Sequence, residues 1–213
     1  LEGNPIHEDM TEACAMLKPD FLLNTVFTPD GAVSEIVAGH WYEAWEKGCQ
    51  DLLKMAGVKI KELADVVIAS AGGYPKDLNL YQSTKCHMNA AFAVKKGGIM
   101  IFTLDCEDIK EPAIFTDCFS RSNLEQFEKD IREAFTVPAF VAFKGRNILS
   151  DVTAYLVTRP ENFDFVKRTG HIPCATLEEA WSLAQAKLAK QGKHDYTITI
   201  MGHGSATLPI LEQ

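Results

Sequence analysis

This chain lacks any apolar run approaching the roughly 20 residues a helix needs to cross a bilayer, and its start carries no signal-peptide pattern. It has no excess of basic charge, since 21 Lys and Arg stand against 29 Asp and Glu, a net charge of −8. Non-specific nucleic-acid binding needs clustered Lys and Arg, so the composition argues against it. A locally basic pocket for a small anion remains compatible with that charge. The six cysteines, at 14, 49, 86, 106, 118 and 174, form no C-x-x-C pair, and the six histidines form no H-x-x-x-H or H-E-x-x-H pattern. No zinc ribbon and no metal site made by this chain alone are therefore expected. Free thiols in a reducing cytoplasm are expected instead. The phosphate-binding patterns G-x-x-x-x-G-K-[ST] and G-x-G-x-x-G are also absent.

What is present is an ordinary globular composition, 46% hydrophobic and 23% charged over 213 residues, enough for one large domain or two small ones. Leu1 to Met10, LEGNPIHEDM, reads as the interior of a longer or processed protein. Helical periods cover Glu8 to Leu17, His40 to Ala56, Leu78 to about Lys95, Leu124 to Phe135, Pro138 to Ile148 and Leu177 to Gln191. The last opens on a capping box, Thr176 with Glu179. Strand patterns cover Asp20 to Phe27, Ala32 to Ala38, Ala64 to Ala69, Ile99 to Leu104, Val152 to Val157 and Tyr196 to Met201. The turn Thr28 to Gly31 separates the first two, and Gly97-Gly98 is expected to end a helix. From Ala64 onward strands alternate with helices. The expected fold is α/β, a largely parallel sheet flanked by helices in three layers, as a single domain.

The chemistry concentrates in GGYPKDLNLYQSTK, Gly72 to Lys85. A buried strand, a Gly-Gly turn and a helix start make a common anion site, because glycine lets backbone approach a ligand and the first helical N–H groups lack partners. Tyr81 and Lys85 are four residues apart, and Gln82 and Lys85 three. A phenol, a carboxamide and an ammonium over one turn suit a small carboxylate or hydroxy acid. Asp77 and Asn79 read as turn and capping residues. His203, in MGHGSATLP after the last strand, can sit at the sheet edge where α/β sites lie, although a plain loop histidine is the simpler reading. Trp41 and Trp45 read as core, and Cys86 as a buried small residue.

The pattern GG-x-P-x-D-x-N-x-Y-Q-x-x-K, carried by Gly72, Gly73, Pro75, Asp77, Asn79, Tyr81, Gln82 and Lys85, together with GNPIHEDM at Gly3 to Met10, resembles the nickel-dependent lactate racemase family. The resemblance implies that the chain is the C-terminal domain of a two-domain protein, residues 1–40 being the segment that links it to a missing N-terminal domain. It implies a nickel-pincer nucleotide cofactor held by that other domain, along with the catalytic histidines, so no catalytic residue and no bound cofactor are expected here. It implies racemisation or epimerisation of a small 2-hydroxy acid by hydride transfer, with Tyr81, Gln82, Lys85, Gly72 and Gly73 on the substrate side. Thr136 to Gly145 carries Phe140 and Phe143 but no Trp, so the implied substrate is the class of 2-hydroxy acids, and not lactate in particular. The alternative is a stand-alone α/β module that binds a small anion or a phosphorylated ligand.

Overall fold

The computed structural model describes residues 1–213 apart from Glu2, Pro29, Arg121, Ser122 and Gln213. The chain forms two compact units, Leu1–Gly57 and Val58–Gln213. The first holds α1 (Pro5–Leu17), β1 (Leu22–Phe27), β2 (Val33–Gly39) and α2 (Trp41–Ala56). Asn4 caps α1 by accepting from Ile6 N–H, with Pro5 at the first helical position, where its missing N–H costs nothing. β1 and β2 pair antiparallel. Their connection is the expected turn; Gly31 N–H donates to Thr28 O at 2.9 Å, and Pro29 lies outside the described residues. Val26, Val37 and Ala44 form the small buried centre of this unit. Trp45 stacks on His7 at 4.7 Å and is only half-buried, so the expected tryptophan core is a surface aromatic cluster.

The second unit begins with β3 (Gly57–Ile60), β4 (Ala64–Ser70), α3 (Leu80–Ala91) and β5 (Val94–Thr103). A short α4 (Ala113–Thr116), a 3-10 turn, α5 (Leu124–Glu133) and α6 (Val137–Ser150) lead to β6 (Thr153–Val157). Then come α7 (Phe163–Arg168), β7 (Ile172–Cys174), α8 (Leu177–Lys190), β8 (Ile198–Met201) and β9 (Leu208–Leu211). Five strands form one sheet in the order β7-β6-β5-β4-β8, and β3 pairs with β9. All four pairings in the five-stranded sheet are parallel. The α/β expectation therefore holds. β7 and β9 were not legible, since each has only three or four residues and no alternation to read.

Alternation along the strands builds two apolar faces. Val67, Ala69, Met100, Phe102, Ala154 and Leu156 face one side, against Leu80 of α3, Phe127 of α5, Ala142 of α6 and Val166 of α7. Val66, Ile99, Ile101 and Tyr155 face the other, against α8. Helix α8 presents Ala180, Ala184 and Leu188, four residues apart, so its contact stripe is narrow and lets the helix lie close to the sheet. Thr176 caps it by accepting from Glu179 N–H at 3.2 Å, and Glu179 reaches back to Ala175 N–H at 2.7 Å. The capping box thus closes one residue earlier than its usual form.

Gly97 and Gly98 do not end a helix. They lie inside β5, where the pairing with β4 shifts between Ala64 and Val66. A Cβ on Gly98 would stand 2.7 Å from Lys95 O and 3.0 Å from Asp65 O, so only glycine fits that irregularity. Next to it, buried Asp65 accepts from Lys95 Nζ at 2.8 Å, Lys193 Nζ at 2.5 Å and Thr197 N–H at 3.2 Å. The Lys193 and Lys95 ammoniums hold its carboxyl well below the usual carboxylate range. This network seats β8 beside β4, which decides what meets at the opposite end of those strands.

Candidate functional site

Strands β4 and β8 run parallel, so their exit loops emerge side by side at the C-terminal edge of the sheet. The chain leaves β4 for β5 on one side, while β8 lies on the other. Adjacent strands whose connections diverge leave a crevice at this edge, which is where ligands bind in open α/β sheets.

Ser70, the last residue of β4, ties both loops down. Its hydroxyl accepts from Gly72 N–H at 3.2 Å, and its carbonyl accepts from Gly204 N–H at 2.7 Å. Gly72 and Gly73 have φ of +103° and +77°, a conformation that side chains disfavour. A Cβ on Gly72 would also lie 3.0 Å from His203 Nδ1. His203, exposed on the β8 exit loop, is therefore brought to the paired glycines.

The glycines do not open α3 directly. Residues 74–79 form an intervening turn, pinned by Cys106 N–H donating to Asp77 O and Asp108 N–H donating to Leu78 O, both at 2.9 Å. Asp77 also accepts from Asp105 N–H at 3.4 Å, and Asp105 makes a two-pronged pair with Arg159 at 2.7 and 2.6 Å. Asn79 caps α3 by accepting from Gln82 N–H at 2.9 Å, so this first-turn donor, expected to be free, is already used.

From that cap, α3 sends Gln82 and Lys85 to the same surface. Lys85 Nζ donates to Gln82 Oε1 at 3.3 Å, and the ammonium is exposed. The two line an open hollow of about 370 Å³ with Pro75, Lys76, Leu78 and Ser205. Tyr81 turns the other way. Its ring packs edge-on to Phe115 at 5.4 Å, against the main core. Of the residues expected at the site, Gln82 and Lys85 share the hollow, Gly72 and Gly73 border the neighbouring turn, and Tyr81 supports α3 from behind. Phe143 packs on Phe127 at 5.7 Å and Phe140 on Phe135 at 6.1 Å, and neither lines the hollow.

Ser205 was not legible as a site residue. The loop containing it reads only as small and polar, and its partner surface lies more than a hundred residues upstream. A second unforeseen feature is the buried pair His87 and His171, whose Nε2 atoms are 2.9 Å apart. Among the described residues no group of three or more His, Cys, Asp or Glu is placed to hold a metal ion. Burial also pushes the Cys86 and Cys106 thiols up to about 12, which keeps them protonated and poor ligands. Among the described residues no helix is long and apolar enough to cross a membrane.

Residues 59–208 match the family model described as the lactate racemase C-terminal domain. The chain is 32% identical over 198 residues to a lactate racemase of Thermoanaerobacterium thermosaccharolyticum, covering 91% of this chain and 46% of that protein. It is 32% identical over 108 residues to a lactate racemase of Lactiplantibacillus plantarum, covering 51% of this chain and 25% of that one. The chain thus spans less than half the length of these curated relatives. The solved structure of the lactate racemase apoprotein from T. thermosaccharolyticum superposes with a TM-score of 0.86 at 29% identity, over 99% of this chain and 50% of that one. A Thermotoga maritima protein shares the fold, with a TM-score of 0.63 at 14% identity.

Proposed function

This chain belongs to the lactate racemase family, and from that membership we propose that it is the substrate-side half of a racemase or epimerase of small 2-hydroxy acids. The observation that carries the reading is the pairing of Lys85 with Gln82 on an open hollow at the C-terminal edge of the sheet. Lys85 supplies a positive charge for the carboxylate. Gln82 can donate to that carboxylate through its amide nitrogen or accept from the neighbouring hydroxyl through its carbonyl oxygen. Together they fix an acid's orientation, which matters because reacting atoms must be held in register before any bond changes. Gly72 and Gly73 keep the adjoining backbone low, and Tyr81 holds the first turn of α3 against the core.

The proposed cofactor of the whole protein is a nickel-pincer nucleotide, which would accept and return a hydride. The buried donors in this chain do not fit it. His87 and His171 are buried and bonded to each other, and the buried Cys86 and Cys106 thiols stay protonated. With the family membership, this supports assigning the cofactor and the proton-transferring groups to the N-terminal part of the protein. In this chain the work is binding and orientation.

The test is a titration of the isotope-labelled chain with lactate and with 2-hydroxybutyrate, followed by NMR. Saturable shifts centred on Gln82 and Lys85 support the reading. Shifts elsewhere, or none at millimolar acid, refute it.

A further inference from the structure

We propose that Ser205 is a ligand-binding residue of the same hollow, its hydroxyl donating to an oxygen of the small acid held by Lys85 and Gln82. The inference rests on the substrate-side reading and extends it to the loop after β8. Among the described residues, Ser205 Oγ is the buried side-chain oxygen that has no hydrogen-bond partner. Leaving a buried hydroxyl unpaired is unfavourable, and folded proteins tolerate few such groups unless another role requires them. The residue lines the hollow alongside Gln82 and Lys85, while its hydroxyl is turned away from solvent; rotation about χ1 breaks no hydrogen bond and would bring it to the hollow.

The hydroxyl's position is set by backbone contacts and not by its own bonding. Gly204, the preceding residue, donates to Ser70 O at 2.7 Å and accepts from Asn89 Nδ2 at 2.8 Å. A Cβ at Gly204 would stand 2.5 Å from Cys86 Sγ and 3.0 Å from Ser70 O, so the loop is pressed onto α3 and the end of β4. On the other side, Ala206 N–H donates to His203 O at 2.9 Å and closes the turn. A donor on a fixed backbone, with its hydrogen uncommitted, needs only one side-chain rotation to meet a ligand. The recognised class is a compact carboxylic acid with a second oxygen on the α-carbon. A cation and a carboxamide from one helix and a hydroxyl from one loop then converge.

The experiment compares the chain with its Ser205→Ala variant, titrated with lactate and, as a probe lacking the α-oxygen, with propionate. The variant is expected to bind lactate about tenfold more weakly, as for loss of one hydrogen bond to a charged or strongly polar group. Its melting temperature should be unchanged or raised, because the hydroxyl holds no partner in the fold. Unchanged lactate affinity in Ser205→Ala overturns the proposal and leaves the Lys85 reading intact. A lowered melting temperature together with the weaker binding also overturns it, since that marks a structural hydroxyl. If the unsubstituted chain shows no response at Lys85, the substrate-side reading falls and the Ser205 assignment with it.

Discussion

His87 Nε2 and His171 Nε2 lie 2.9 Å apart in the core, and the two residues are only 2% and 5% exposed. His87 Nδ1 faces Ser83 O at 2.9 Å, a group that can only accept, so that nitrogen carries the proton. In the neutral ring Nε2 then accepts, and His171 Nε2 donates to it. His171 Nδ1 in turn accepts from the Thr169 hydroxyl at 2.8 Å when that hydroxyl's one hydrogen is withdrawn from Val166 O, 2.7 Å away, a carbonyl that Thr169 N–H already satisfies at 3.0 Å. The His87 ring also stacks on Phe102 at 3.9 Å. The arrangement is complete with both rings neutral, and a charge on either has no water to meet it.

A pH dependence of stability follows. Burial pulls His87 down from 6.5 to about 4, and His171 well below its usual value, with the neighbouring His87 adding to the effect. Between about 4 and 6.5 the unfolded chain binds more protons than the folded one, so stability rises with pH across that window. The contribution is present in full above about 6.5 and is lost as pH falls through about 4. For His87 it amounts to roughly 3 kcal/mol. Urea unfolding at pH 4.5 and 7 should show the loss, and His87→Gln should reduce the slope. A flat profile in the unsubstituted chain would contradict the assignment.

Lys85 and Gln82 should matter for binding and little for folding. Lys85 is exposed and Gln82 half-buried on one helical turn. Replacing either by Ala should change stability by about 0.5 kcal/mol or less. In the full-length protein, Lys85→Ala should lower kcat/KM for a 2-hydroxy acid by about a hundredfold, the scale of a lost charged hydrogen bond of roughly 3 kcal/mol. Chiral chromatography of the product reads that change.

Tyr81 offers a contrast. Its ring packs on Phe115 behind α3, so Tyr81→Phe should keep nearly full acid affinity, while Tyr81→Ala should destabilise by about 3 kcal/mol. A large affinity loss in Tyr81→Phe at unchanged stability would instead give the phenol a direct part in binding.

Two glycine substitutions separate backbone strain from steric overlap. Gly73 has φ of +77° and open space around a would-be Cβ. Gly73→Ala should therefore cost only the left-handed conformation, about 1–2 kcal/mol. Gly204→Ala would drive a methyl into Cys86 and the Ser70 carbonyl and should cost about 2–3 kcal/mol. It should also weaken acid binding, because His203 and Ser205 move with the loop. Thermal melts paired with lactate titrations distinguish the two cases.

The chain alone should not racemise lactate. Incubating it with one enantiomer of lactate or of 2-hydroxybutyrate should leave the optical rotation constant over hours, while the full-length protein carrying its cofactor should bring the rotation of its own 2-hydroxy acid to zero. Turnover by the chain alone would mean that proton and hydride transfer reside within these 213 residues.

The sequence by itself determined the local elements and part of the site. Apolar runs such as Ala64 to Ala69 imply buried parallel strands, because both sheet faces must be covered. Lys85 and Gln82 were legible because three residues along a helix bring two side chains together whatever the rest of the fold does. What lay beyond local reading was which loops meet. Ser205 comes to the same hollow as Lys85, and His203 to Gly72, because Asp65, Lys95, Lys193 and Thr197 seat β8 beside β4. His87 finds His171 only because α3 and the chain segment that enters β7 both pack on Phe102 of β5. Contacts between residues more than eighty positions apart are decided by strand order and burial, and neither leaves a periodic mark in the sequence.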